Sequence, residues 1–103
     1  MPRLVSIEFT SDGPFGQEAA AAYAELADDI AAESGLIWKV WTEDPEMKIA
    51  GGIYLFADRE AAQRYVEKHT QRLGSFGITD ARISSLDVNE ALSRTTFASL
   101  TRD

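Results

Sequence analysis

Two runs dense in aromatic and β-branched residues, Leu36–Thr42 and Ile49–Phe56, flank a short acidic loop, Glu43–Lys48, that holds Pro45. Such composition favours strands. So short a loop can join two strands only as an antiparallel hairpin, because a parallel pair needs a long crossover. The hairpin sets how the rest of the chain must be read. Before it, Leu4–Phe9 alternates Val5, Ile7 and Phe9 against Leu4, Ser6 and Glu8, the period of a strand with at least one buried face. Ser11-Asp12-Gly13-Pro14 breaks that strand. A helix is expected from Gln17 to Ser34, with Ala19, Tyr23, Leu26 and Ile30 on one face and Gly35 as its stop. After the hairpin, Asp58 is the expected N-cap of a second helix from Arg59 to Leu73, stopped by Gly74. A last strand is expected over Ala81–Val88. The order βαββαβ, with right-handed crossovers, folds onto one antiparallel sheet with both helices on the same face. That is an α+β ferredoxin-like sandwich.

The chain has 103 residues, one domain's worth, so residues 1–88 are expected to form the sandwich. The tail from Asn89 to Asp103 carries Leu92, Phe97 and Leu100, too apolar for a solvated end. It reads as an arm packing on a second subunit. A small domain buries a limited fraction of its surface, so a homodimer is a natural source of further burial. The net charge of −7 argues against nucleic acid, whose affinity comes from phosphates neutralised by Lys and Arg. No apolar run is long enough to span a membrane and no signal segment opens the chain, so a cytoplasmic location is expected. With no cysteine there is neither a disulfide framework nor a thiolate metal site. No nucleotide, flavin or paired-histidine fingerprint is present, so neither a metal nor another cofactor is expected.

The one histidine, His69, falls in line with Ala62, Tyr65, Val66 and Leu73 on the inward stripe of the second helix. It reads either as a packed, hydrogen-bonded core histidine or as a group that moves a proton or bonds a bound phenol. Trp38 and Trp41 lie three apart on a strand and so face opposite sides, with core or interface packing the default for both. Gly51 and Gly52 weaken their strand and suggest a bulge or a close approach. Gly52, Tyr54 and Phe56 share one face, where a flat ligand would find space, and the Tyr54 phenol would orient it. Lys39 and Glu8 read as solvated or as paired across a subunit interface. Asn89 is a turn or cap residue that alternatively offers its amide to a ligand.

The segments GPFG (Gly13–Gly16), GLIWKVWTE (Gly35–Glu43), AGGIYLF (Ala50–Phe56), EKHTQRL (Glu67–Leu73) and DVNEALS (Asp87–Ser93) resemble the YdhR-like monooxygenases of the dimeric α+β barrel superfamily. The match runs in order along nearly the whole chain, and Ala91 departs from it where a proline is expected. The resemblance implies a homodimer whose two ferredoxin-like subunits join their sheets into a barrel, with a pocket in each. It further implies cofactor-independent oxidation of activated phenols or anthrones to quinones by molecular oxygen. By the same resemblance Trp38, Tyr54, Tyr65, His69 and Asn89 are the positions expected to serve it, the aromatics orienting the ring system and His69 or Tyr65 moving the proton. The alternative is a non-catalytic dimeric protein that binds or senses a small molecule in the same pocket.

Overall fold

The computed structural model describes residues 1–102. Its strands are β1 (Arg3–Thr10), β2 (Leu36–Asp44), β3 (Ile49–Phe56) and β4 (Arg82–Asp87), and its helices α1 (Gly16–Ala22), α2 (Ala24–Ala31), α3 (Arg59–Ser75) and α4 (Glu90–Thr95). The strands form one antiparallel sheet in the order β2-β3-β1-β4. With helices packed on one face, this is the ferredoxin-like α+β fold.

Register decides which side chains meet the helices. Val5 pairs with Tyr54 and Ile7 with Gly52, while Lys39 pairs with Tyr54 and Trp41 with Gly52. Val5, Ile7, Tyr54, Phe56, Lys39 and Trp41 therefore share the helix-covered face. The core forms there, where Val5, Ile7, Tyr54 and Phe56 pack against Ile30 of α2 and Ala61, Ala62, Tyr65 and Leu73 of α3. A register shift between Leu36 and Trp38 turns Leu36 inward to join that core. Trp38, which pairs with Leu55, and Val40, which pairs with Ile53, lie on the opposite face.

Gly51 has the tightest reason to be glycine. A Cβ there would lie 2.0 Å from the Ile7 carbonyl oxygen, so the doubled glycine marks the close approach of β3 to β1. The expected cap at Asp58 is present, its carboxylate accepting from the Ala61 amide at 2.8 Å. The first helical region ends earlier than expected, at Ala31 with Ala32 as its cap, and Gly35, at φ +84°, lies in the turn that leads into β2.

Two further boundaries differ from the sequence reading. The single helix expected over Gln17–Ser34 is broken at Tyr23, which has φ −106° and ψ 13°. The preceding helix α1 buries none of its residues, so no packing holds its axis in line with α2. The Tyr23 ring instead stacks with Trp41, centroids 6.4 Å apart. The stop expected at Gly74 lies further on: α3 continues to Ser75, and Gly77 takes the left-handed conformation at φ +83°. The amides of Phe76 and Ile78 both reach the Leu73 carbonyl at 3.0 Å, which closes the helix just beyond Leu73, its last buried side chain.

The tail contains α4, capped by Asn89, whose side chain accepts from the Leu92 amide at 3.1 Å. The segment after it returns to its own chain. Trp38 Nε1 donates to the Ser99 carbonyl at 2.8 Å, and Arg102 donates to the carbonyls of Leu36 at 3.2 Å and Ala31 at 3.0 Å. Leu92 and Phe97 remain exposed, Phe97 at 94%.

Candidate functional site

Spacing along α3 places Tyr65, His69 and Arg72 on one stripe over the sheet. Tyr65 and His69 are buried. The Tyr65 ring packs against Tyr54 at 4.9 Å, Phe56 at 5.3 Å and His69 at 5.0 Å between centroids. The Tyr65 hydroxyl donates to the Tyr54 hydroxyl at 3.3 Å. Burial pushes the Tyr54 phenol up to about 12 and carries Tyr65 higher still, so both stay neutral and both are hydrogen-bonding groups.

Gly52 is the sheet's contribution. The room left by its missing side chain is filled by Lys39, whose Cε would lie 2.6 Å from a Cβ there. The lysine stem crosses the glycine and sets Nζ 3.4 Å from the Trp41 ring centroid and 4.6 Å from that of Tyr54. Lys39 thus lies on the helix-covered face, only partly exposed, with its amine over aromatic rings rather than fully solvated. Glu8, its expected counterpart, pairs with Arg82 of its own chain at 2.7 Å. Burial and then the nearby Arg72 charge lower the Lys39 amine to about 7.

Arg72 joins the cluster to α2. Its Nε donates to His69 Nδ1 at 3.2 Å and its Nη1 pairs with Asp29 at 2.7 Å. Its Nη2 is buried and meets no acceptor at full hydrogen-bond geometry among the described residues, while the guanidinium acts on the Tyr65 hydroxyl through its charge and a weaker hydrogen bond. The hydrogen bond from Arg72 holds the Asp29 carboxyl below its usual value. An acceptor at Nδ1 makes the imidazole of His69 neutral, with its remaining proton on Nε2. Burial and then the charges of Lys39 and Arg72 lower its pKa to about 4. His69 is therefore a donor through Nε2, and its Nδ1 lone pair is already engaged.

The structure brings Tyr54, Phe56, Tyr65 and His69 together, with Trp41 at the rim, 44% exposed and stacked with Tyr23. It sets two expected residues apart. Trp38 lies on the other face and holds the tail, and Asn89 caps α4. Sequence reasoning did not count Lys39 and Arg72 among the site residues. Both carried a signal: Lys39 shares a face with Trp41 by strand alternation, and Arg72 follows His69 by one helical step. A separate depression of about 450 Å³ lies between α3 and β4, lined by Arg3, Arg59, Val66 and Ile83 among others, and none of the aromatic cluster reaches it. No group of three or more potential metal ligands occurs among the described residues.

The fold and this cluster define a ferredoxin-like α+β protein with aromatic and basic side chains gathered between sheet and helix. Residues 4–99 match the family described as "Putative mono-oxygenase ydhR", and the chain belongs to that family. A solved "putative antibiotic biosynthesis monooxygenase" from Deinococcus radiodurans has the same fold, with a TM-score of 0.54 and 17% identity. The alignment covers 86% of this chain and 93% of that one. No curated protein matches the chain.

Proposed function

We propose that the protein is a cytoplasmic, homodimeric monooxygenase that works without metal or flavin. Its substrate class in this reading is a flat, electron-rich phenol or anthrone, oxidised by molecular oxygen. Family and fold support a monooxygenase-like function. The observation that carries the finer reading is the contiguous set of Tyr54, Phe56, Tyr65 and His69 beside Lys39 and Arg72, which joins ring-binding surfaces to proton-handling groups.

The chemistry asks little else of a protein. An anthrone methylene loses a proton to give an enolate, and the ring system supplies the reducing electrons. One atom of the oxygen molecule becomes the new quinone oxygen and the other leaves as water. The chain's task is to orient the ring, stabilise the oxyanion and exclude bulk water. Trp41 at the rim faces the ring with Tyr54 and Phe56 packed behind it, while His69 Nε2–H and the neutral Tyr65 phenol donate hydrogen bonds toward the substrate oxygen. The homodimer reading is supported by the open sheet face, where Trp38, Ile53 and Leu55 sit beside Val40, 54% exposed, and Leu86, 60% exposed. The second subunit covers that face, Trp38 lies within the barrel so formed, and the arm from Asn89 offers the exposed Leu92 and Phe97 to the partner.

One observation favours the alternative of a binding or sensing protein. His69 is packed to 4% exposure with Nδ1 held by Arg72, which leaves it a poor base. Oxygen uptake by the metal-free protein with dithranol and dihydroxynaphthalenes separates the two. Uptake above the buffer rate, lost in His69→Ala and Tyr54→Phe variants that stay folded, is the expected result. Binding of the same compounds with no uptake would establish the binding protein instead.

A further inference from the structure

We propose that Lys39 is the proton acceptor of this site, and that the ligand is held as its conjugate base, a planar aromatic phenolate or enolate lying between Lys39 and Arg72. The proposal rests on reading the aromatic cluster as the ligand site and names the group that ionises the ligand there.

Lys39, His69 and Arg72 converge from β2 and α3, and the carboxylate that pairs with any of them is Asp29, on Arg72 Nη1. No carboxylate among the described residues lies within ion-pair distance of Lys39, whose amine instead rests over the Trp41 and Tyr54 rings. Among the described residues Arg72 Nη2 is a buried donor that meets no acceptor at full hydrogen-bond geometry, the Tyr65 hydroxyl feeling only a weaker hydrogen-bonding pull from the same guanidinium. A buried donor left unpaired is costly, and an arriving oxyanion removes that cost. The basic groups thus outnumber their carboxylate partners, which favours an anionic ligand there, and the two aromatic rings beside the amine favour a flat one.

Chemistry then selects the acceptor. His69 Nδ1 already accepts from Arg72, and the two phenols are held neutral as donors. Lys39 is left with a free lone pair whenever it is unprotonated, a condition that burial and the Arg72 charge favour near neutral pH. The facing groups are Tyr54 on β3, His69 and Arg72 on α3, and Asp29 on α2, which acts through Arg72. The step balances simply. The O–H or activated C–H bond of the ligand breaks, its electron pair stays on the ligand, and the proton forms an N–H bond on Nζ. A neutral amine and a neutral ligand become an ammonium–anion pair, which Arg72 Nη2 and His69 Nε2–H further stabilise. Each charge makes the other tolerable in a place too dry for either alone.

The test is the rate at which dithranol ionises on the protein under argon, followed by stopped-flow absorbance of its coloured anion. Wild type is expected to ionise it faster than buffer, with a rate that rises with pH through a midpoint near 7. Lys39→Met and Lys39→Arg are each expected to lose on the order of a hundredfold in that rate and the pH midpoint with it. Lys39→Arg keeps the cation, so it separates proton acceptance from charge and serves if Lys39→Met fails to fold. Rates within about threefold of wild type in either folded variant, or a wild type no faster than buffer, overturn the proposal. Admitting air to the same samples keeps the two readings apart. Ionisation that depends on Lys39 without oxygen uptake sinks the monooxygenase and leaves the anion site, whereas uptake indifferent to Lys39 does the reverse.

Discussion

At the scale of single residues, adjacent glycines make different demands. A Cβ at Gly51 meets the Ile7 backbone, which cannot yield without moving a strand, whereas at Gly52 it meets the flexible end of Lys39. Gly51→Ala is expected to cost about 2 kcal/mol or more, read as a lower urea midpoint. Gly52→Ala should fold with a smaller loss but push the Lys39 amine out of its place over the rings. Lys39 itself carries a pH signature. Its folded pKa of about 7 lies below the ordinary 10.5, so the unfolded chain binds more protons between those values. Stability from this group therefore rises with pH across that window, and its penalty is full below pH 7. Lys39→Met is expected to be more stable than wild type at pH 6, with the difference shrinking steadily above pH 7, as denaturant titrations across that range would show. That Tyr54, Phe56, Tyr65 and His69 would meet between sheet and helix was legible because period-two and helical patterns place them on inward faces. Lys39 was not, because a charged residue on a strand is ordinarily solvated, and only the pairing of its strand with Gly52 shows the space it fills.

Elements differ in what holds them. The helix α3 is anchored by five buried residues, Ala61, Ala62, Tyr65, His69 and Leu73, and its N-terminus by Asp58. Asp58→Ala is expected to cost about 1 kcal/mol, seen as a lower melting temperature with the fold retained. By contrast α1 has no buried residue, and the Glu43 carboxylate accepts from its Gly16 amide at 2.8 Å. Glu43→Ala should speed hydrogen exchange of the α1 amides while leaving those of α3 unchanged; equal effects on both helices would refute a local tether. The break at Tyr23 shows why one helix was expected and two are found. Helix propensity is continuous through the alanines, but packing acts only on α2, where Ile30 is buried.

For the whole molecule, the exposed half of the sheet is the feature that sequence patterning could only hint at. The face bearing Trp38, Val40, Ile53 and Leu86 has no helix over it. On the proposed homodimer, Val40→Glu buries an unpaired charge at the contact and is expected to give a monomer by sedimentation. An unchanged sedimentation coefficient for a folded Val40→Glu would place the dimer contact elsewhere. The tail's contacts with its own Trp38, Leu36 and Ala31 also bear on assembly, since they set the arm against the edge strand β2 from which it would reach a partner.

What this sequence determined by itself is what local rules encode: the order of the four strands, the helix α3 with its cap at Asp58, and the inward stripe that carries Tyr65 and His69. Those follow from backbone sterics and from the two periods of buried side chains. Tertiary structure alone decided that Lys39 crosses Gly52, that Arg72 occupies His69 Nδ1, that Trp38 serves the tail, and that α1 stands apart from α2. Each of these joins residues from different elements or depends on packing at a distance along the chain. Such contacts have no local period, and their protonation follows from a burial that exists only once the sheet and α3 have closed on each other.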